Sequence, residues 1–263
     1  MTIPTDPSTS KIAIPILRAW DDPSICHGFV GRIGGVGVGR YESLNLSYFV
    51  GDQKDAVDQN WELLRAQLPE LGEVAFVNQV HGIDVRRVDA NPGAERLDGD
   101  GMVTTGERTF LGIFSADCVP ILMADKAHRV AGALHAGWRG LIGGIVGTGI
   151  RAMTEAGAVL ADLQIAMGPS IGLCCFEVDA ALADRFTREI PGAVRHRRAG
   201  LPGKAYIDLR GIINDQFEAA GVEAENILSV GPCSKCESNR FFSRRAARGK
   251  LTGVQLSFIG LTA

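Results

Sequence analysis

The chain has 263 residues, 46% hydrophobic and 22% charged, with a formal net charge of −3. It is long enough to bury a core without disulfides, and its charge gives no electrostatic reason to bind nucleic acid or an anionic membrane. Its five histidines, His27, His81, His128, His135 and His196, exclude a self-contained multicopper oxidase of the ordinary kind, which would need on the order of ten imidazoles.

Residues 1–10 are polar and proline-bearing, a loose start before one domain spanning 11–263. No basic segment followed by a long apolar run opens the chain, so no signal peptide is expected. No stretch of about 18 apolar residues predicts a membrane span. A cytoplasmic protein with reduced thiols follows as the expectation. A short apolar run at 12–17 precedes the glycine-rich GRIGGVGVGR at 31–40, where tight turns or close backbone packing are implied. Val57, Trp61, Leu64 and Leu68 fall at helical spacing within 55–68. Strand-like runs follow at 73–80, 110–117, 120–125 and 129–137, then a helical pattern at 139–157. A strand at 163–168, helices at 178–190 and 208–221, and a closing strand at 254–260 complete the list. Asp208 is placed to cap the second of those helices and Gly221 to end it. Several strands adjoin in sequence among interspersed helices, which predicts a mixed-sheet α/β (α+β) layered sandwich in one compact domain.

Familiar motifs are mostly missing. GVGVG at 35–39 lacks the last spaced glycine of a dinucleotide loop, and LPGKAY around Lys204 lacks the residues of a P-loop. The basic runs at 195–198 and 240–250 read as solvated faces at this net charge. Cys233 and Cys236 have half the spacing of a zinc ribbon with no second such pair, and Cys174 and Cys175 are vicinal. These four are therefore read as reduced thiols without a metal.

His81, Cys118 and His135 stand out together. Each lies at or near the end of an apolar strand-like run, where a rigid sheet can hold a side chain still and leave it open to solvent. A hairpin turn centred between Lys126 and Ala127 would set Cys118 opposite His135, with Cβ atoms about 4.5–5.5 Å apart. Pro120 would put a bulge or a sheet edge there. Taken singly, such a cysteine is a small buried hydrophobe and such a histidine a satisfied core residue. Taken together they fit three chemistries. They could be three ligands of a catalytic zinc, a cysteine nucleophile with a histidine base, or part of a blue-copper site.

NQVHG (78–82), DGDGMVTT (98–105), SADCVPILMAD (115–125), LHAGWRG (134–140), MGPSIGLCCFEV (167–178) and CSKCESNRFFSRR (233–245) resemble the YfiH-like family. Its members were long labelled laccase-domain or multicopper polyphenol oxidases and are now regarded as zinc-dependent purine nucleoside phosphorylases with adenosine deaminase activity. The resemblance runs from about residue 28 to the C-terminus. It implies a mixed-sheet sandwich, a zinc held by His81, Cys118 and His135, and, as substrates, phosphate with adenosine, inosine or methylthioadenosine. Copper is the alternative metal, with phenol oxidation as its activity, and a Cys–His hydrolase or deamidase is the third reading. Arg32, Ser43 and Asn45 are implied as pocket residues; Gly37 and Arg40 depart from the serine and proline often found in the family. Arg32, Arg139 and Arg244 are candidate phosphate clamps because guanidinium matches phosphate bidentately; Arg244 reads better as part of a solvated face.

Overall fold

A computed structural model describes residues 13–88 and 96–262; the loose start expected at 1–10 lies outside them. The strands are β1 (Ile16–Leu17), β2 (Ile25–Val30), β3 (Val74–Ala75), β4 (Val85–Arg87), β5 (Gly101–Thr104), β6 (Phe110–Ser115), β7 (Val119–Asp125), β8 (Val130–Ala136), β9 (Gln164–Met167), β10 (Glu177–Asp179), β11 (Arg197–Ala199), β12 (Lys204–Ile207), β13 (Ile227–Ser229) and β14 (Gln255–Leu261). The helices are α1 (Lys54–Gln67), α2 (Trp138–Gly143), α3 (Ile145–Glu155), α4 (Ala180–Glu189) and α5 (Leu209–Ala220).

Two mixed sheets form the centre. One has the order β1-β2-β14-β6-β3, the other β13-β9-β7-β8-β5-β4, and a small sheet β10-β12-β11 stands apart. The alternation along β7 and β8 shows why they stack. Leu122, Ala124, Ala131 and Ala133 turn toward Phe29, Leu111, Ile113 and Ile259 of the first sheet. Ile121, Met123, Val130 and Leu134 turn the other way, onto Leu141, Ile145 and Met153 of α2 and α3 and onto Phe186 and Phe217 of α4 and α5. On the outside of the first sheet, Val57, Trp61 and Leu64 of α1 cover Val30, Leu256 and Phe258. The result is a four-layer α/β/β/α sandwich. Each fully buried Leu or Phe in it contributes about 1.5–3 kcal/mol, which is why central strands such as β7 read as unbroken apolar runs.

Five details depart from the sequence reading. The expected helix at 139–157 is two helices, because Gly144 takes φ 97° and ends the first of them. The strand expected at 73–80 keeps only Val74–Ala75 as a regular ladder. The helix expected from 178 starts at Ala180, since Val178 pairs with Ala205 in the small sheet. The β7–β8 turn is centred one residue further along, between Ala127 and His128, which shifts the register by two and pairs Asp125 with Val130 and Pro120, not Cys118, with His135. The cause is local. The Asp125 carboxylate accepts the His128 backbone N–H at 3.0 Å and meets its Nδ1 at 2.9 Å, and Arg129 takes φ 53°, which closes a four-residue turn over 126–129. Pro120 also lies in a central strand and not at an edge; it sits near the start of β7, where the ladder to β9 begins only at Ile121. By contrast α5 follows expectation, with the Asp208 side chain accepting the Gly211 N–H and Gly221 at φ 101°. The glycine-rich segment is explained by close approach: a Cβ at Gly35 would strike the Ser43 carbonyl and the Asn60 side chain.

The cysteines give a further correction. All six are free thiols, but the pairs that sequence spacing left apart, Cys174–Cys175 and Cys233–Cys236, are brought side by side in one cluster. Among the described residues no helix is long and apolar enough to cross a membrane.

Candidate metal centre

His81, Cys118 and His135 converge at one end of the space between the two large sheets, with their ligating atoms all within 4.8 Å of one another. His135 belongs to β8, on the face it shares with Ala131 and Ala133, and is 3% exposed. Cys118 occupies the bend between β6 and β7, one residue before the latter begins. The shifted register makes it the diagonal neighbour of His135, still within reach. His81 follows β3 on a loop in the left-handed region, at φ 61°; its ring lies edge-on to that of His135, with centroids 4.9 Å apart.

One buried carboxylate organises this arrangement. Asp100 has no exposed surface. Its Oδ1 accepts the His81 backbone N–H at 3.0 Å and meets His135 Nδ1 at 2.8 Å. Its Oδ2 accepts the Val80 and Gly82 N–H groups at 3.1 and 2.6 Å. Asp100 therefore fixes the His81 loop and the His135 tautomer together, turning Nε2 of His135 toward Cys118. Metal-binding histidines generally have such a partner. A second acid, Asp117, takes φ 97° immediately before Cys118. Its carboxylate accepts Ser234 Oγ and the Arg245 N–H, both at 2.7 Å, and its carbonyl accepts the Ile171 N–H at 2.9 Å.

Charge and room both suit a cation. Burial is the largest influence on Cys118 and opposes its ionisation, but the adjoining His135 and His81 outweigh it and bring the thiol down to about 6. Burial likewise opposes charge on His135, and is outweighed by Cys118 and Asp100, which raise it to about 9. Without a metal the pair is a thiolate–imidazolium. Gly137 leaves the space open: a Cβ there would come within 2.9 Å of His81 Cδ2 and 3.1 Å of Cys118 Sγ. Two nitrogens and one sulfur with a fourth direction free match the donor set of a catalytic zinc. The other histidines are committed elsewhere. His27 accepts the Ala19 and Trp20 N–H groups, and His128 and His196 pair with Asp125 and Asp215. Two imidazoles at the centre cannot build a multicopper cluster.

The triad opens into a cavity of about 940 Å³, ample for a small ligand. Its lining includes Phe49, Gln79, Arg96, Phe114, Ser115, Arg244 and Arg248. The Arg96 guanidinium lies 4.2 Å above the Phe49 ring. The Gln79 amide is held by the Phe114 backbone at 2.8 and 2.9 Å. Arg244 and Arg248 are exposed and the sequence reading of Arg244 as a mere solvated face omits its place at this wall.

The remaining residues singled out from sequence do not line the cavity. Arg32 donates to the carbonyls of Glu42 and Ser238 and lies over Phe242. Ser43 Oγ bridges the Arg32 carbonyl and the Gly35 N–H. Asn45 is wholly buried; its amide donates to the Ser47 carbonyl and to Asp52, and accepts the Val254 N–H. Because Ser47 and Val254 are wall residues, Asn45 shapes the cavity from behind. Arg139 is exposed on α2, stacked 4.2 Å over Trp138. Sequence reasoning passed over Asp100, whose signal was the DGDG run, and the Phe49–Arg96 pair, which has no local signature.

Comparison with known proteins matches this picture. The sequence model of a family described as multi-copper polyphenol oxidoreductase laccase matches residues 26–262. A protein of Mycobacterium tuberculosis named purine nucleoside phosphorylase is 37% identical over 82% of this chain and 85% of its own. One from an unknown prokaryotic organism, named adenosine deaminase RL5, is 35% identical over 78% of this chain and 82% of its own. The crystal structure of YlmD from Geobacillus stearothermophilus superposes with a TM-score of 0.85 at 33% identity, covering 92% of this chain and 93% of that one. With its fold, its length and its motifs all shared, this chain belongs to the YfiH family of laccase-like proteins.

Proposed function

We propose that the chain is a zinc-dependent purine nucleoside phosphorylase, cleaving adenosine, inosine or methylthioadenosine with inorganic phosphate to the free base and a ribose 1-phosphate. The observation that carries this is the convergence of His81, Cys118 and His135 at the floor of a cavity walled by arginines; the names of the relatives support it.

The donor set fits zinc, and such an ion would supply Lewis acidity without redox chemistry. The chain's own groups account for substrate binding. Arg244 and Arg248 stand at the wall with guanidinium groups suited to a phosphate oxyanion. The exposed Phe49 ring, backed by Arg96, offers a face on which a purine can stack. Asp100 orients His135 and so fixes the geometry at which the reacting groups meet. In the reaction an oxygen of phosphate forms a bond to C1′ as the C1′–N9 bond breaks, and the base leaves with a proton. Deamination at the adenine C6 by water is a second activity, favoured by the relative named adenosine deaminase.

Product analysis distinguishes the two. Adenosine with phosphate should give adenine and ribose 1-phosphate, and cleavage should stop without phosphate, whereas deamination to inosine should continue. Cleavage to free ribose at an undiminished rate without phosphate would overturn the phosphorylase assignment.

A further inference from the structure

Away from the cavity, a second set of ligating side chains comes together where the sequence held only two unrelated pairs. β9 and β13 are parallel neighbours, so the segments that follow them leave the same end of the sheet. Ser170 and Cys233 bridge these segments, and the Ser234 N–H donates to the Ser170 carbonyl at 3.0 Å. Cys174 and Cys175 come from the first segment, Cys233 and Cys236 from the second, and all four sulfurs lie within 4.8 Å of one another. Cys236 Sγ is 3.6 Å from that of Cys174 and 3.4 Å from that of Cys175. Four sulfurs at the usual zinc–sulfur length would be separated by about 3.8 Å in a tetrahedron.

The surroundings of Cys233 suit a thiolate, while burial pushes the Cys174 and Cys175 thiols up. The Gly172 N–H donates to Cys233 Sγ at 3.3 Å, and the backbone N–H groups of Lys235 and Cys236 point to the same sulfur. Arg210 reaches over from α5, with its guanidinium on Ser170 Oγ at 2.8 Å and on the carbonyls of Ser170, Gly231 and Pro232 at 3.2, 2.9 and 2.8 Å. All these partners are neutral; the negative groups that act on it are Asp208 first, then Cys233 and Cys174. A half-buried cation beside these sulfurs favours negative charge on them.

We propose that Cys174, Cys175, Cys233 and Cys236 bind a zinc ion as a tetrathiolate, a structural site distinct from the His81–Cys118–His135 centre. With four protein ligands it leaves no open position for substrate. Its place in the fold gives it a task. The two segments it staples also hold Asp117, through the Ile171 N–H to its carbonyl and the Ser234 hydroxyl to its carboxylate, and Asp117 precedes Cys118. The ion would brace the bend that presents the catalytic-site cysteine.

The test isolates this site in the full-length chain carrying His81→Ala, Cys118→Ser and His135→Ala. Elemental analysis after purification without chelator should find about one zinc ion per chain, falling to none when Cys233→Ser and Cys236→Ser are added. Should the latter fail to fold, wild-type protein serves. Zinc should protect Cys174, Cys175, Cys233 and Cys236 from alkylation until a chelator is added, and cobalt in its place should show the visible absorption of a tetrahedral thiolate complex. Absence of zinc from the triple variant, alkylation of the four thiols at a rate indifferent to metal, or disulfide-linked peptides joining the two segments in anaerobically purified protein would each overturn the proposal.

Discussion

Replacing Asp100 by Asn removes the charge but keeps the shape of the group that ties the centre together. In the native protein its two oxygens meet four N–H groups, two each: His81 N and His135 Nδ1 on Oδ1, Val80 N and Gly82 N on Oδ2. An amide has one oxygen. Whichever way it turns, its NH₂ faces two donors. Turned toward Oδ2's partners, it orphans two backbone N–H groups; turned toward the other side, it forces His135 to carry its proton on Nε2, where a metal must bind. Two hydrogen bonds to a charged group, at about 1.5–3 kcal/mol each, amount to about 3–6 kcal/mol. At the lower figure the melting temperature of metal-stripped protein should fall by about 6–12 °C for a chain of this size. Metal affinity should drop about 10–100-fold in a chelator competition, the cost typical of removing a ligand's partner. An Asp100→Asn protein that melts within about 2 °C of wild type and holds its metal equally tightly would refute the assigned role.

His81→Ala, Cys118→Ala and His135→Ala should each lose most bound metal and most nucleoside cleavage while far-UV circular dichroism stays near wild type, because three-ligand sites have no spare donor; full occupancy in Cys118→Ala would remove it from the ligand set. Metal affinity should rise with pH between about 6 and 9, since with the thiol already ionised above about 6 the ion need displace only the proton that His135 keeps up to about 9. Calorimetry in buffers of different ionisation enthalpy should show about one proton released per ion at pH 7.5, and no proton release would contradict the pairing. Gly137→Ala is compatible with its backbone, at φ −75°, but would place a Cβ 2.9 Å from His81 and 3.1 Å from Cys118. It should weaken metal binding with little change in the fold, and unchanged metal affinity would show that the ligands are not where the geometry puts them.

Much of this was legible from residues alone, for identifiable reasons. α1 and α5 carry strong 3.6-residue periodicity and, for α5, an Asp cap and a Gly stop, so local and tertiary preferences agree. The triad was visible because each member ends an apolar run. Its exact register was not, because the β7–β8 turn is set by a side-chain contact, Asp125 to His128, that hydrophobic patterning does not encode. Shifting the pairing by an even count kept Cys118 on the side of His135, so the expected proximity survived a wrong turn centre. Asp100 was overlooked because a buried acid in a glycine-flanked run looks like a turn residue until its four donors are seen. The pocket assignments of Arg32, Ser43 and Asn45 rested on resemblance; these side chains bond backbone carbonyls and lie outside the cavity lining. The cysteine cluster depends on two segments 60 residues apart leaving adjacent parallel strands, a juxtaposition that spacing rules confined to one segment do not reach.

The central claim is that the His81–Cys118–His135 centre runs phosphate-dependent nucleoside cleavage with a metal that does no redox chemistry. The most direct measurement strips the protein of metal, adds back zinc or copper separately, and follows base release from inosine in phosphate alongside oxygen uptake with a phenol. Zinc should restore cleavage to the level of the untreated protein, strictly dependent on phosphate and without oxygen uptake. Rapid phenol oxidation by the copper-loaded protein, with no phosphate-dependent cleavage of any purine nucleoside in either form, would contradict the claim.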